Sequence, residues 1–213
     1  MATIENGING GFKGTIGNVV GYQLRGKWVV RSKPKASNKN KIGTSSQNAN
    51  RAKFSSVQRF VSQVLSFIRV GFRAEAQLRN MSAHNVATSY NLQNAIDVNG
   101  ILDYSKVCVS YGTLENVQSV SAKLEDQNLR INWENLPYSN PERVNDQVMV
   151  LVYTIKQQLN FQLLSGARRT AGTEILPLST LADDDTLHCW ISFISDDRTD
   201  IATSHYIGMI QQK

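Results

Sequence analysis

Thr186-Leu187-His188-Cys189-Trp190-Ile191-Ser192-Phe193-Ile194 is the stretch that decides the fold. Leu187, Cys189, Ile191 and Phe193 alternate along it, and a period of two sets all four on one side of an extended strand. Working back from it, residues 173–178, 160–166, 147–155, 128–134 and 117–124 each read as a further strand, and 203–210 adds one beyond it. Turn-rich clusters such as Pro137-Tyr138-Ser139-Asn140-Pro141 and Asp183-Asp184-Asp185 separate them. Seven short strands at this spacing predict a seven-stranded antiparallel β-sandwich over residues 101–213. Trp133, closing the second strand, is placed as a core tryptophan between two sheets.

Before residue 101 the pattern changes. Seven of the fourteen glycines fall within the first 26 residues, and Asn6-Gly7 and Asn9-Gly10 are tight-turn pairs. Residues 15–31 read as a β-hairpin: Ile16, Asn18, Val20, Tyr22 and Leu24 line one side of its first strand, Arg25-Gly26-Lys27 turns, and Trp28-Val29-Val30 returns. Gly17 and Gly21 leave the other side of that strand bare, which predicts close approach by another backbone and pairing with another chain. Residues 31–43 form a polar, cationic connector, and Thr44 or Ser45 caps the helix that follows. Phe54, Val57, Val61, Val64 and Ile68 recur at steps of three and four on one helical stripe, which Phe60 and Phe67 widen. A weaker helical segment runs through Ala83, Val86, Ala87 and Tyr90. The expected fold is mainly β with an α-helical segment, divided into a hairpin and connector (1–43), helices (44–100) and a sandwich (101–213).

The net charge of +6 conceals an asymmetry. Residues 1–100 carry 14 Lys and Arg against Glu5, Glu75 and Asp97, a balance of +11; residues 101–213 carry 9 against 14 acids, a balance of −5. Such a division predicts different partners for the two halves, or each other. No apolar run approaches the ~20 residues a membrane helix needs, so membrane insertion is not expected. The first residues carry neither a cationic region nor an apolar run, which predicts a location in the cytoplasm or in a particle assembled there.

Several chemical motifs fall short of their requirements. Gly21-Tyr22-Gln23-Leu24-Arg25-Gly26-Lys27 has the glycine–lysine spacing of a phosphate-binding loop, but Trp28 stands where a Ser or Thr must hold magnesium, and a strand follows in place of a helix. His188 adjoins Cys189, so on a strand the two point to opposite faces; His205 beside Ser204 has the same defect as a base–nucleophile pair. Cys108 and Cys189 are read as two buried thiols. The acids Asp183, Asp184, Asp185, Asp196, Asp197 and Asp200 match no calcium loop and are read as solvated loops or as a counter-surface for a basic partner. No cofactor, metal site or catalytic group is expected, and the chain reads as a non-enzyme.

At these residues a resemblance emerges. Leu129-Arg130-Ile131-Asn132-Trp133, the strand from Val148 to Ile155, and Thr186-Leu187-His188-Cys189-Trp190-Ile191 resemble fibronectin type III modules. The whole chain is similar to an uncharacterised Bacteroidota family known only as a domain of unknown function, through Gly7-Ile8-Asn9-Gly10, Gly17-Asn18-Val19-Val20-Gly21-Tyr22, Arg25-Gly26-Lys27-Trp28-Val29-Val30-Arg31-Ser32 and the segment from Asp146 to Tyr153. The resemblance implies an immunoglobulin-like architecture and brings no activity, cofactor or catalytic residue.

The best functional lead is the basic set Lys13, Arg25, Lys27, Arg31, Lys33, Lys35, Lys39 and Lys41, with Tyr22 and Trp28 between them. From this segment Tyr22, Arg25, Lys27, Trp28, Arg31, Lys33 and Lys35, together with Phe54, Val57, Phe60, Val61, Val64, Phe67 and Ile68 of the helix, are expected to make contacts between subunits of a homo-oligomer, particle or filament of phage-like kind. An acidic protein surface is the expected charge partner. The alternatives are nucleic acid held on the basic half, and an adhesin that binds carbohydrate through the sandwich with aromatics such as Tyr138.

Overall fold

The computed structural model of the protein describes residues 3–4, 10–35, 43–125, 127–135, 143–179, 181 and 185–211. They belong to two compact units, Met1–Gly43 and Thr44–Lys213. In the first, β1 (Thr3–Ile4), β2 (Phe12–Ile16), β3 (Val19–Leu24) and β4 (Lys27–Ser32) form an antiparallel meander in that order. The second opens with helices α1 (Ser45–Gln63), α2 (Leu65–Gly71), α3 (Arg73–Leu78) and α4 (Ala83–Asn94). Seven strands follow: β5 (Ser119–Glu125), β6 (Asn128–Glu134), β7 (Gln147–Thr154), β8 (Asn160–Leu163), β9 (Thr173–Pro177), β10 (Thr186–Ile194) and β11 (His205–Gln211). They pair antiparallel in two sheets, β11-β10-β7-β8 and β5-β6-β9. The protein is therefore mainly β, with antiparallel sheets and four helices among the described residues.

The central strands β7 and β10 are buried along nearly their whole length, on both faces. Val148, Val150 and Val152 of β7 share a core with Leu187, Cys189, Ile191 and Phe193 of β10 and with Leu129, Ile131, Trp133 and Leu176 from the three-stranded sheet. The alternate residues Met149, Leu151, Tyr153, Trp190 and Ile194 enter a second core with the helices. A strand covered on both sides loses the alternation of a half-exposed one, and its apolar run becomes nearly continuous. Several polar groups in these cores have partners. The indole N–H of Trp190 donates to the Val107 carbonyl at 3.0 Å, and that of Trp133 to the Arg169 carbonyl at 2.8 Å. Arg169 and Asp146 form a buried ion pair at 3.3 Å, with the guanidinium 4.3 Å from the Phe193 ring centroid.

The helices follow from local sequence. Thr44 caps α1 in a reciprocal capping box with Gln47, which satisfies two of the free donors at the helix start. Gly71 ends α2 where a methyl group would come within 2.5 Å of the Val109 carbonyl oxygen, so the helix can lie directly on the 107–111 segment. Residues 44–100 and 101–213, read from sequence as separate parts, share one hydrophobic core. Among the described residues no helix is long and apolar enough to cross a membrane.

Two expectations are corrected. Val57, Phe60, Val61, Val64, Phe67 and Ile68 are buried inside the second unit, so they present no surface to another subunit; only Phe54 of that set is exposed, at 46%. The stripe is wide because α1 and α2 cover a sheet while packing on α4. The strand expected from residue 15 to 24 is broken by a tight turn at Gly17-Asn18, where Gly17 adopts φ +55° at no steric cost. The hairpin is consequently three main strands plus the short β1.

If α1 covers the sheet, Phe60→Ala lowers stability by about 3–5 kcal/mol, whereas Phe54→Ala changes it by no more than about 0.5 kcal/mol. Urea denaturation of the two variants measures the contrast.

Candidate functional site

Strand register sorts the side chains of the N-terminal sheet onto two faces. Gly21 opposes Gly14 and Val30, Val19 opposes Ile16 and Ser32, and Gln23 opposes Trp28. One face therefore carries Phe12, Ile16, Val19, Trp28 and Val30 with Gly14, Gly21, Gln23 and Ser32, and no charged residue of β2–β4. The other carries Val20, Tyr22, Leu24 and Val29 with the cations Lys13, Lys27 and Arg31. Arg25 and Gly26, at φ +51° and +77°, make the two-residue turn between β3 and β4, the geometry of a tight hairpin.

The glycines form the floor of the apolar face. A methyl group on Gly21 would strike the Phe12 carbonyl oxygen and lie 2.7 Å from its ring; one on Gly11 would strike the Trp28 indole. The space at Gly21 expected for a foreign backbone is filled by the protein's own Phe12, and Gly17 is a turn residue with nothing above it. Even so, Val30 is 57% exposed, Ile16 49% and Val19 37%. These aliphatics surround the two half-buried rings and leave the face wet and apolar.

Of the basic residues singled out from sequence, Lys13, Arg25, Lys27, Arg31, Lys33 and Lys35 are all exposed. The Arg31 guanidinium lies 5.6 Å from the centroid of the Tyr22 ring, a cation–π contact. Lys39 and Lys41 lie outside the described residues. Tyr22 and Trp28, weighed together as stacking residues, sit on opposite faces, so only Tyr22 accompanies the strand cations. The glycine–lysine motif is the β3–β4 hairpin, and Lys27 begins a strand.

The acidic residues separate differently. Asp185 is buried and accepts from the backbone N–H groups of Lys156 (3.0 Å), Gln157 (3.2 Å) and Thr186 (2.7 Å). Burial pushes its carboxyl up, but these bonds outweigh it and hold it below the usual range. Asp185 thus ties the turn after β7 to the start of β10 and is removed from the expected counter-surface. Asp196 and Asp197 are exposed, and Asp200 pairs with Arg143 at 3.7 Å. The hydroxyl of Ser195 and the N–H and hydroxyl of Thr199 bond Asp197 and bring its carboxyl down to about 2. Asp183, Asp184 and Tyr138 lie outside the described residues. Among those described, no three His, Cys, Asp or Glu side chains are grouped to hold a metal ion.

His188 and Cys189 do face opposite cores, the first toward Tyr104, Trp190 and Tyr206, the second toward the three-stranded sheet. Both cysteines are buried free thiols, pushed up by burial to about 11 for Cys108 and about 12 for Cys189, values that keep them protonated and unreactive. His188 stacks on Tyr104 at 4.5 Å, and its Nδ1 is 2.7 Å from the Tyr206 hydroxyl. Its buried Nε2 has no hydrogen-bond partner.

The chain belongs to a family of unknown function (DUF6266), whose sequence pattern matches residues 11–208, from the second strand to the last. A search of curated proteins finds no match to it.

Two outcomes follow from these environments. Gly21→Ala displaces Phe12 and disorders the N-terminal sheet while leaving the second unit folded, visible as loss of the β2–β4 amide signals alone in an NMR spectrum. For His188, burial lowers the pKa while the charge of Asp103 opposes the shift, so the fold favours the neutral ring. The unfolded chain takes up a proton first, at about pH 6.5; the stabilisation is complete above that pH and is lost as pH falls below it. Urea midpoints therefore drop on acidification from neutral pH, and His188→Gln makes them drop less.

Proposed function

We propose that the protein is a non-catalytic structural subunit that self-associates through the apolar face of its N-terminal sheet. One observation carries this reading: Ile16, Val19 and Val30 stand exposed around Phe12 and Trp28 on a face without a strand charge. Short meanders of this size are marginal with both faces in water and gain stability when one packs on another layer. A second copy supplies a matching layer in a two-fold contact. The cations of each copy stay on the outer faces, so closing the contact desolvates no like charges.

The second unit then serves as the folded body of each subunit. Its strand order of three against four, with Trp133 packed edge-on against Phe193 at 5.6 Å, supports a fibronectin III-like, seven-stranded sandwich with helices added on the four-stranded side. A larger particle or filament of phage-like kind needs a second contact. The outer edge of β4, which pairs with no strand among the described residues, supplies unpaired backbone groups for one.

Light scattering coupled to size exclusion tests the association. The wild-type chain elutes as a dimer or larger species at high and low salt alike, and Val30→Lys, which sets a cation into the contact, shifts it to monomer. A wild-type chain that stays monomeric at high concentration in both buffers overturns the proposal.

A further inference from the structure

We propose that the second face of the N-terminal sheet binds single-stranded nucleic acid. The face holds one aromatic ring, Tyr22, in the central strand β3, with Lys13 on β2 to one side and Lys27 and Arg31 on β4 to the other. Arg25 extends from the adjoining turn, and Lys33 and Lys35 continue the line beyond β4. Residues two apart on a strand are about 7 Å apart and neighbouring strands about 4.8 Å. Cations at these spacings can meet successive phosphates of an extended strand while a base reaches the ring between them.

The contents of the face select this partner over an acidic protein. Residues 1–43 carry eight Lys and Arg against the single acid Glu5, which attracts any polyanion. Beside the cations, which serve any anion, the Tyr22 ring, 5.6 Å from the Arg31 guanidinium, offers an aromatic face on which an unpaired base can stack and a carboxylate cannot. A duplex keeps its bases stacked inside and offers this platform nothing. The inference uses the face opposite to the one assigned to self-association, so Val30→Lys leaves the binding intact even where it abolishes assembly.

The test is fluorescence anisotropy with the full chain, a labelled oligothymidylate, a duplex of equal length and polyglutamate as the acidic-protein control. Binding of the single strand is expected to be tightest, with a log–log salt slope of about −2 to −3 for three or four phosphate contacts. Tyr22→Ala weakens it by about tenfold, the loss of one stacked base, while Tyr22→Phe keeps it, which separates stacking from folding. Lys27→Gln flattens the salt slope by about 0.7. Equal affinity for polyglutamate, preference for the duplex, no binding at low salt, or a Tyr22→Ala protein that folds and binds as wild type would each overturn the inference.

Discussion

Burial of β7 and β10 on both faces is the constraint on which the rest of the second unit depends. Leu187, Cys189, Ile191 and Phe193 need the three-stranded sheet, and Trp190, Ile194, Met149, Leu151 and Tyr153 need a second cover that no strand among the described residues supplies. The helices exist to provide it. Phe60 meets Tyr104, Tyr153 and Trp190 within 6 Å, so one side chain of α1 joins the helix layer to both central strands. Two hydroxyls caught in this interface are matched: that of Ser192 donates to the Ala202 carbonyl at 2.9 Å, and that of Ser110 donates to Ser192 at 2.8 Å. With its apolar helix arc used in this way, the second unit keeps no large apolar face on α1 for a partner.

The first unit has the opposite character. It is a sheet of short strands whose glycines admit Phe12 and Trp28 close to the backbone, and these rings are the nearest thing it has to a core. Stability for so small a sheet comes from what it packs against. Its strand charges, Lys13, Lys27 and Arg31, are segregated by register, which leaves the other face free of the repulsion they would otherwise impose on a pair of copies. The two proposed contacts, association and polyanion binding, fall on different faces of one element.

Much of the β architecture was legible because period two is a strong signal where one face is examined at a time. Each of the seven segments read as strands overlaps one of β5–β11, and Trp133 and the alternating side chains of β10 occupy the core expected of them. The second face was missed, although the unbroken run from Val148 to Tyr153 carried the evidence: a strand with water on one side does not place Met149, Leu151 and Tyr153 between its valines. Reading that run as two-sided burial would have assigned Val57 through Ile68 to its cover instead of to another subunit. At the N-terminus, composition marked a glycine-rich sheet, but only register reveals that Tyr22 and Trp28 lie on opposite faces and that Gly21 receives Phe12. Asp185 was unreadable for a related reason, since its three backbone donors come partly from residues 28 and 29 positions away.

Hydrogen exchange of the full chain at several protein concentrations tests the central claim most directly, because it reads the two units separately in one sample. The account predicts that amides of β2, β3 and β4 grow more protected as concentration rises, while those of β7 and β10 are the slowest in the protein and do not change. Protection in β2–β4 that is strong and independent of concentration would contradict it, since the small sheet would then need no second copy.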